Sequence, residues 1–388
     1  MQRSIMGNQR RSTHLFLKYI FYGFPLLLCG SSYIEPIVCE LKFGNVTDTG
    51  LNSNRTSISS TSNSKLTLDV LSSAKFMQFS KSIKKLPLIK WENPNKRSIE
   101  NTIQFIYYKN GKMLFKSSSA EEHKSVDITK CSNEKISMIF HGWMESCNTN
   151  WVIKLRERDI GLTYHRGGCI ICIDYGYWAE ETYLKLWRNF DIITEVLYKE
   201  ILSLIHKGLN PRQSFLFGFS YGGHIVSTIG RRLPPKYKFK KIDICDMAGP
   251  GFDFFTDHNH KDAADNVQCY YSSIGKGTRF YDCHQNIRLG QCGYSQLATL
   301  TQSLYSSHGL CVQIYINAFD HPFYALQNPP RWCATVNPAQ NLPKYFTIGY
   351  KESGYRHIRG DIFVPTGLKY PYNLSKKQLA RFQALHDY

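Results

Sequence analysis

The stretch Ser214-Phe215-Leu216-Phe217-Gly218-Phe219-Ser220-Tyr221-Gly222-Gly223-His224 constrains the fold of this chain more than any other. It reads as an apolar strand that meets Gly-x-Ser-x-Gly and turns at once into a helix beginning near His224-Ile225-Val226. That is the layout of a nucleophile elbow, a strained strand-to-helix turn that lifts a serine hydroxyl out at the top of a sheet. Gly218 and Gly222 are needed because a side chain at either position would collide with the strand and helix flanking so sharp a turn. The pattern arises by chance too often to decide anything alone, so its surroundings must supply the sheet it presupposes.

They do. Ile103–Tyr108, Ile136–Phe140, Cys169–Asp174 and Phe239–Cys245 read as further strands, the third too continuously apolar to have an exposed face. Between them, Tyr183–Leu204 places Leu186, Phe190, Ile193, Val196, Leu197, Ile201 and Leu204 at helical spacing. Strand, helix, strand, elbow, helix, strand predicts an α/β fold with a central, mostly parallel sheet flanked by helices. Residues 75–365 are expected to form this one domain. Residues 33–74, rich in Ser, Thr and Asn, are expected to be a disordered linker, because such a composition cannot bury enough apolar surface to offset its ordering entropy. Residues 366–388 are a tail too short for a second β-domain.

Residues 1–32 carry Arg3, Arg10, Arg11 and Lys18 without an acid, then a short apolar stretch ending in Cys29-Gly30-Ser31-Ser32. This describes a secretory signal peptide. The apolar part is too short for a membrane anchor, and Lys18 interrupts it. Of the 12 cysteines, Cys29 falls inside this leader and leaves 11, so an oxidised framework with at least one unpaired or intermolecular thiol is expected. Cys169-Ile170-Ile171-Cys172 has a zinc-like spacing, but its apolar setting favours a buried strand. Asn45, Asn54 and Asn373 lie in glycosylation sequons. Removing the four basic residues of the leader takes the formal net charge from +18 to +14, which should draw the protein to anionic lipid surfaces or acidic polysaccharide. No nucleic-acid module is visible, and clusters such as Arg231-Arg232 with Lys236, Lys238, Lys240 and Lys241 read as solvated faces.

A serine hydroxyl is a poor nucleophile at neutral pH and needs an imidazole to take its proton and a carboxylate to orient that imidazole. In the fold expected here these follow the serine in the order acid, then histidine. Asp246 sits at a strand end where Gly249-Pro250 turns the chain, whereas Asp243 lies mid-strand and is the weaker candidate. His258, His260, His284, His308, His321, His357 and His386 all follow, and composition does not choose among them.

In several ordered motifs the chain resembles the secreted lipases related to pancreatic lipase, and among them the animal phospholipases A1. Phe140-His141-Gly142-Trp143 is similar to the family's oxyanion loop, and Cys172-Ile173-Asp174-Tyr175 to its strand ending in Asp-Trp. Gly218–His224 matches the elbow. Asp246-Met247-Ala248-Gly249-Pro250 resembles Asp-Pro-Ala-Gly-Pro, and Ser307-His308 falls where the family has Ser-His or Asn-His. The resemblance spans roughly residues 100–365. It implies an α/β-hydrolase fold without a C-terminal β-sandwich, and catalytic roles for Ser220, Asp246 and His308. The backbone N–H groups of Trp143 and Tyr221 would form the oxyanion hole, with those two side chains lining an acyl groove or simply packing. No cofactor and no metal are implied, and His141 is expected to be structural.

The chain also departs from the family. The cysteine that ordinarily precedes Ser-His is replaced by Ser306, with Cys311 following, so the usual lid disulfide must be rewired; Cys283–Cys292 is one possible bridge. Cys283 lies only 37 positions after Asp246, which leaves little room for the two surface loops of triglyceride lipases and favours the sn-1 ester of phospholipids over acylglycerols as substrate. Interfacial contact with lipid would then fall to basic and aromatic surface residues. The alternative is a catalytically silent lipid-binding or yolk protein of similar fold, against which retention of all three side chains argues.

Overall fold

Alternation within the strands builds the molecule. In the computed structural model, which describes residues 96–118, 131, 135–164, 168–255, 258–300, 305–335, 337–350 and 357–386, nine strands form one sheet. They are β1 (Gln104–Lys109), β2 (Lys112–Ser118), β3 (Ile136–Phe140), β4 (Cys169–Asp174), β5 (Ser214–Phe219), β6 (Lys241–Cys245), β7 (Val267–Tyr271), β8 (Gln285–Leu289) and β9 (Gly360–Val364). Their order across the sheet is β2-β1-β4-β3-β5-β6-β7-β8-β9. The β2–β1 and β1–β4 pairs are antiparallel and every other neighbour is parallel. The expected signal peptide, the linker and the start of the domain near residue 75 all lie outside the described residues, as does Cys39, and residues 88–388 form a compact unit.

Both faces of the sheet are buried, and strands β4 and β5 are accordingly almost continuously apolar, while β3, β6 and β7 also bury polar Ser137, Lys241, Asp243 and Gln268. Ile136, Met138, Phe140, Ile171, Ile173, Leu216, Ile242 and Ile244 point to one face. There they meet α2 (Phe190–His206) and α3 (Tyr221–Arg232). Ile139, Ile170, Cys172, Phe215, Phe217, Phe219 and Cys245 point to the other, against α1 (Asn150–Tyr164) and α4 (Ser307–Asn317). The expected single helix over Tyr183–Leu204 is two helices, Tyr183–Arg188 and α2, with Asn189 closing the first and opening the second. Its apolar periodicity runs through the break because Leu186 and Phe190 join the same core. The segment after residue 366 contains α5 (Lys376–His386), whose Leu379 packs with Cys292, Leu326, Cys333 and Phe363.

Ten cysteines form five disulfides: Cys131–Cys169, Cys147–Cys172, Cys245–Cys311, Cys269–Cys283 and Cys292–Cys333. The Cys283–Cys292 bridge considered from sequence is therefore not made. Cys283 reaches back to β7, and Cys292 reaches forward to a loop ahead of β9. Cys169 and Cys172 each pair with a different partner, so neither offers the thiolate a metal would need.

Candidate active site

Ser220 follows β5 and precedes α3 with φ 53° and ψ −117°, a conformation that costs a non-glycine residue roughly 1–3 kcal/mol. The surroundings hold it there: Ser220 N–H donates to Cys245 O at 3.0 Å, and its carbonyl accepts from Gly223 and Ala248 N–H. A Cβ at Gly218 would lie 2.6 Å from Gly222 O, and one at Gly222 would lie 2.5 Å from the carbonyl oxygens of both Phe140 and His141. Both elbow glycines are thus required by close backbone approach, Gly222 chiefly by the end of β3 rather than by its own helix.

Three of the side chains singled out from sequence converge. His308 Nε2 lies 2.9 Å from Ser220 Oγ, and His308 Nδ1 lies 2.6 Å from Asp246 Oδ2. A carboxylate only accepts, so the imidazole carries its proton on Nδ1 and leaves Nε2 free to accept from the serine hydroxyl. Ser220 and Asp246 are buried, and His308 keeps a narrow exposed edge while packing on Phe219 at 4.8 Å between ring centres. The arrangement can move a proton from hydroxyl to imidazole while the carboxylate balances the charge that forms. Of the other histidines, half-buried His258 and buried His260 lie near each other in a separate cluster. Asp243 is engaged elsewhere, accepting from the Tyr315 hydroxyl at 2.6 Å and lying 3.1 Å from Lys241 Nζ.

Support around Asp246 was not legible in the sequence. Its carboxylate also accepts from Ser272 N–H at 2.7 Å, Ser273 N–H at 3.1 Å and the Ser273 hydroxyl at 2.6 Å. These donors follow β7, a strand that the apolar pattern does not single out. Cys245 and Cys311 bond β6 to α4, so the elements that deliver the carboxylate and the imidazole are covalently joined one and three residues from them.

The loop after β3 is held at several points. Trp143 Nε1 donates to Glu181 O, Met144 N–H to Ala179 O, and Gly142 N–H to Glu145 Oε2 at 2.7 Å. Among the described residues, the backbone N–H groups of Trp143 and Tyr221 have no backbone acceptor. The Tyr221 side chain does not line a groove; it is wholly buried, with its hydroxyl donating to Leu186 O. Trp143 is half-buried against Tyr183. His141 is buried, stacked on Tyr175, with Nε2 3.6 Å from an Asp174 oxygen. Burial opposes ionisation of Asp174, but the His141 imidazole close by and the hydrogen bond from Gly176 N–H outweigh this and hold the carboxyl below its usual range. Glu145 goes the other way: burial pushes its pKa up, against the hydrogen bonds from Gly142 and Trp151 and the pull of His141 and His308.

A mostly parallel sheet clad by helices on both faces, with a strained Gly-x-Ser-x-Gly turn at its C-terminal edge, defines an α/β-hydrolase. The chain belongs to the Lipase family, whose sequence model matches residues 68–267. That match contains Ser220 and Asp246 and ends before His308. Among solved structures, alpha/beta hydrolase domain-containing protein 10 from mouse is 20% identical over 32% of this chain and 45% of its own length, with a TM-score of 0.23. A putative hydrolase from Agrobacterium vitis S4 is 15% identical over 32% and 44%, with a TM-score of 0.23. A cold-adapted esterase from an Arctic intertidal metagenomic library is 13% identical over 54% and 79%, with a TM-score of 0.29. The chain thus spans under half the length of the first two. No curated protein matches it.

Proposed function

We propose that the protein is a secreted serine hydrolase that cleaves carboxylic esters of lipids, with the sn-1 acyl ester of phospholipids favoured over acylglycerols. The observation that carries this reading is His308 bridging Ser220 and Asp246 at 2.9 and 2.6 Å. In the proposed reaction, His308 accepts the Ser220 proton as Oγ attacks the ester carbonyl, and Asp246 balances the imidazolium. The N–H groups of Trp143 and Tyr221 receive the oxyanion, one such donor typically lowering the barrier by about 3 kcal/mol. Nε2 then protonates the departing alcohol, and water, activated by the same imidazole, releases the acyl group.

Lipid as the substrate is supported by family membership and by the rim of the site. Met144, Phe254, Ile274 and Leu300 are exposed in the segments that follow β3, β6, β7 and β8, at the same sheet edge as Ser220, and Lys276 and Arg279 are exposed in the same segment as Ile274. Apolar groups flanked by cations suit peripheral contact with an anionic lipid surface. Phospholipid is favoured by the short Asp246–Cys283 span. Secretion is supported by five disulfides, and no helix among the described residues is long and apolar enough to cross a membrane. A fluorophosphonate should label wild type at Ser220 and leave Ser220→Ala untouched. Phosphatidylcholine labelled separately at each acyl position should release the sn-1 chain. Ester hydrolysis that survives Ser220→Ala would end the proposal.

A further inference from the structure

Glu145 sits in the loop between β3 and α1 with no assigned role. Its two oxygens face two different donors: Oε2 accepts from Gly142 N–H at 2.7 Å, and Oε1 from the Trp151 indole N–H at 2.8 Å. Trp151 is itself buried on α1, packed against Phe217 and Phe219 of the strand that delivers Ser220. At the other end, Gly142 lies so close to the elbow that a Cβ on it would be 3.2 Å from Ser220 Cβ and 3.0 Å from Glu145 Oε2. Glu145 is half-buried, and withdrawing a carboxylate from water is costly unless its oxygens are paired; here both are committed to groups bordering the serine. We propose that Glu145 is a positioning residue, fixing the His141-Gly142 peptide, and through it the Trp143 N–H one residue on, beside Ser220 by accepting from Gly142 and Trp151 at once.

The chemistry requires a carboxylate. Two N–H donors converge on two oxygens, and an amide offers only one acceptor while turning an NH2 group toward the other donor. The tether runs from the loop through Glu145 to Trp151 and so to β5, which makes the loop and the nucleophile parts of one rigid unit. A hole so fixed needs no reorganisation when the oxyanion forms, and that is where such donors exert their effect. Cys147–Cys172, at the far end of the same loop, limits its movement toward β4 but does not reach Gly142.

The inference rests on the proposed hydrolase reading, and the experiment separates the two. Wild type, Glu145→Gln and Trp151→Phe are titrated with a fluorophosphonate, and kcat for a soluble p-nitrophenyl ester is expressed per titrated site. Glu145→Gln is expected to lower that kcat about ten- to hundred-fold, the usual range for a hydrogen bond to a charged group, with KM changed less than about twofold. Trp151→Phe, which keeps the packing and removes one donor, should give a smaller fall of the same kind. A residue that merely stabilised the fold would reduce the number of titratable sites and leave kcat per site alone. Hydrogen–deuterium exchange of the peptide spanning residues 139–148 supplies a readout independent of activity, and should be faster in Glu145→Gln. Per-site kcat within about twofold of wild type, or unchanged exchange, overturns the proposal. Should Glu145→Gln not fold, unchanged per-site kcat in Trp151→Phe overturns it equally. Wild type that fails to label at all counts against the hydrolase reading, while exchange still decides the role of Glu145.

Discussion

Ser273 shows how much of a site can rest on a residue with no motif of its own. Its hydroxyl donates to Asp246 Oδ2, the same oxygen that accepts from His308, and its own backbone N–H donates to Oδ1. Ser273→Ala leaves the two backbone donors in place but removes the short hydroxyl bond that fixes the carboxylate plane. The expected result is a fall of about tenfold in kcat with KM nearly unchanged, since a hydrogen bond to a charged group contributes about 1.5–3 kcal/mol and the backbone donors offset part of the loss. Steady-state kinetics on a soluble ester would show it, and a change confined to KM would contradict it. Gly222 belongs to the same scale. An alanine there meets two carbonyl oxygens at 2.5 Å, both of them backbone and neither free to rotate away. Gly222→Ala should lose about 2–3 kcal/mol of stability, read from urea unfolding, and an unfolding midpoint equal to wild type would refute the close-approach argument. The two glycines were legible because a motif names them. Ser273 and Glu145 were not, because what defines Ser273 is a partner far away in sequence, and Glu145 is a half-buried carboxylate that looks, in a string of letters, like any surface acid.

At the scale of elements, the Cys245–Cys311 bridge is the feature most open to test. It closes a 66-residue separation between β6 and α4, for which chain-entropy reasoning gives about 4 kcal/mol. Replacing both cysteines by alanine should lower stability by that order. Activity per folded molecule should fall less, because the Tyr315 hydroxyl still ties α4 to Asp243 of β6. Equal thermal midpoints for variant and wild type would rule this out. The same bridge marks the limit of what the chain discloses before folding. Strands β3, β4 and β5 could be bounded to the residue, since burial on both faces writes them as predominantly apolar runs between turn residues. β8 could not, because Gln285, Asn286 and Arg288 are polar yet buried: Asn286 and Arg288 bond to Asp361 of β9, and Arg288 also to the Cys292 and Ala334 carbonyls. β2 escapes for the opposite reason; it is an edge strand with mostly exposed residues and no pattern to betray it. Disulfide pairing is likewise a property of the folded sheet, and proximity in sequence misled for Cys283 and Cys292.

Over the whole molecule, the buried histidines decide how stability responds to acid. His224 is wholly buried, stacked on Phe252 and donating to Ala248 O, and burial lowers its pKa from 6.5 to about 3. His260, bonded to Ser227, is held well below its usual value chiefly by the same cause. Between pH 6.5 and their folded values, the unfolded chain binds a proton at each site that the folded chain refuses. Stability should therefore drop as pH falls through that window, by about 1.4 kcal/mol per pH unit for each histidine. Asp282 opposes them. Burial raises its pKa to about 6, so from that pH down toward 4 the folded protein holds a proton that the unfolded chain does not, and its contribution improves as acid is added. The two effects overlap between pH 6 and 4, and Asp282→Asn removes the second while leaving the His260 N–H an amide oxygen to donate to. Urea unfolding at pH 7, 6, 5 and 4 should show wild type losing stability toward acid and Asp282→Asn losing it more steeply below pH 6. Parallel curves for the two proteins would mean that Asp282 titrates alike in both states. A wild-type curve flat from pH 7 to 5 would mean that the buried histidines take up protons without unfolding, which their packing against Phe252 and Ser227 should prevent.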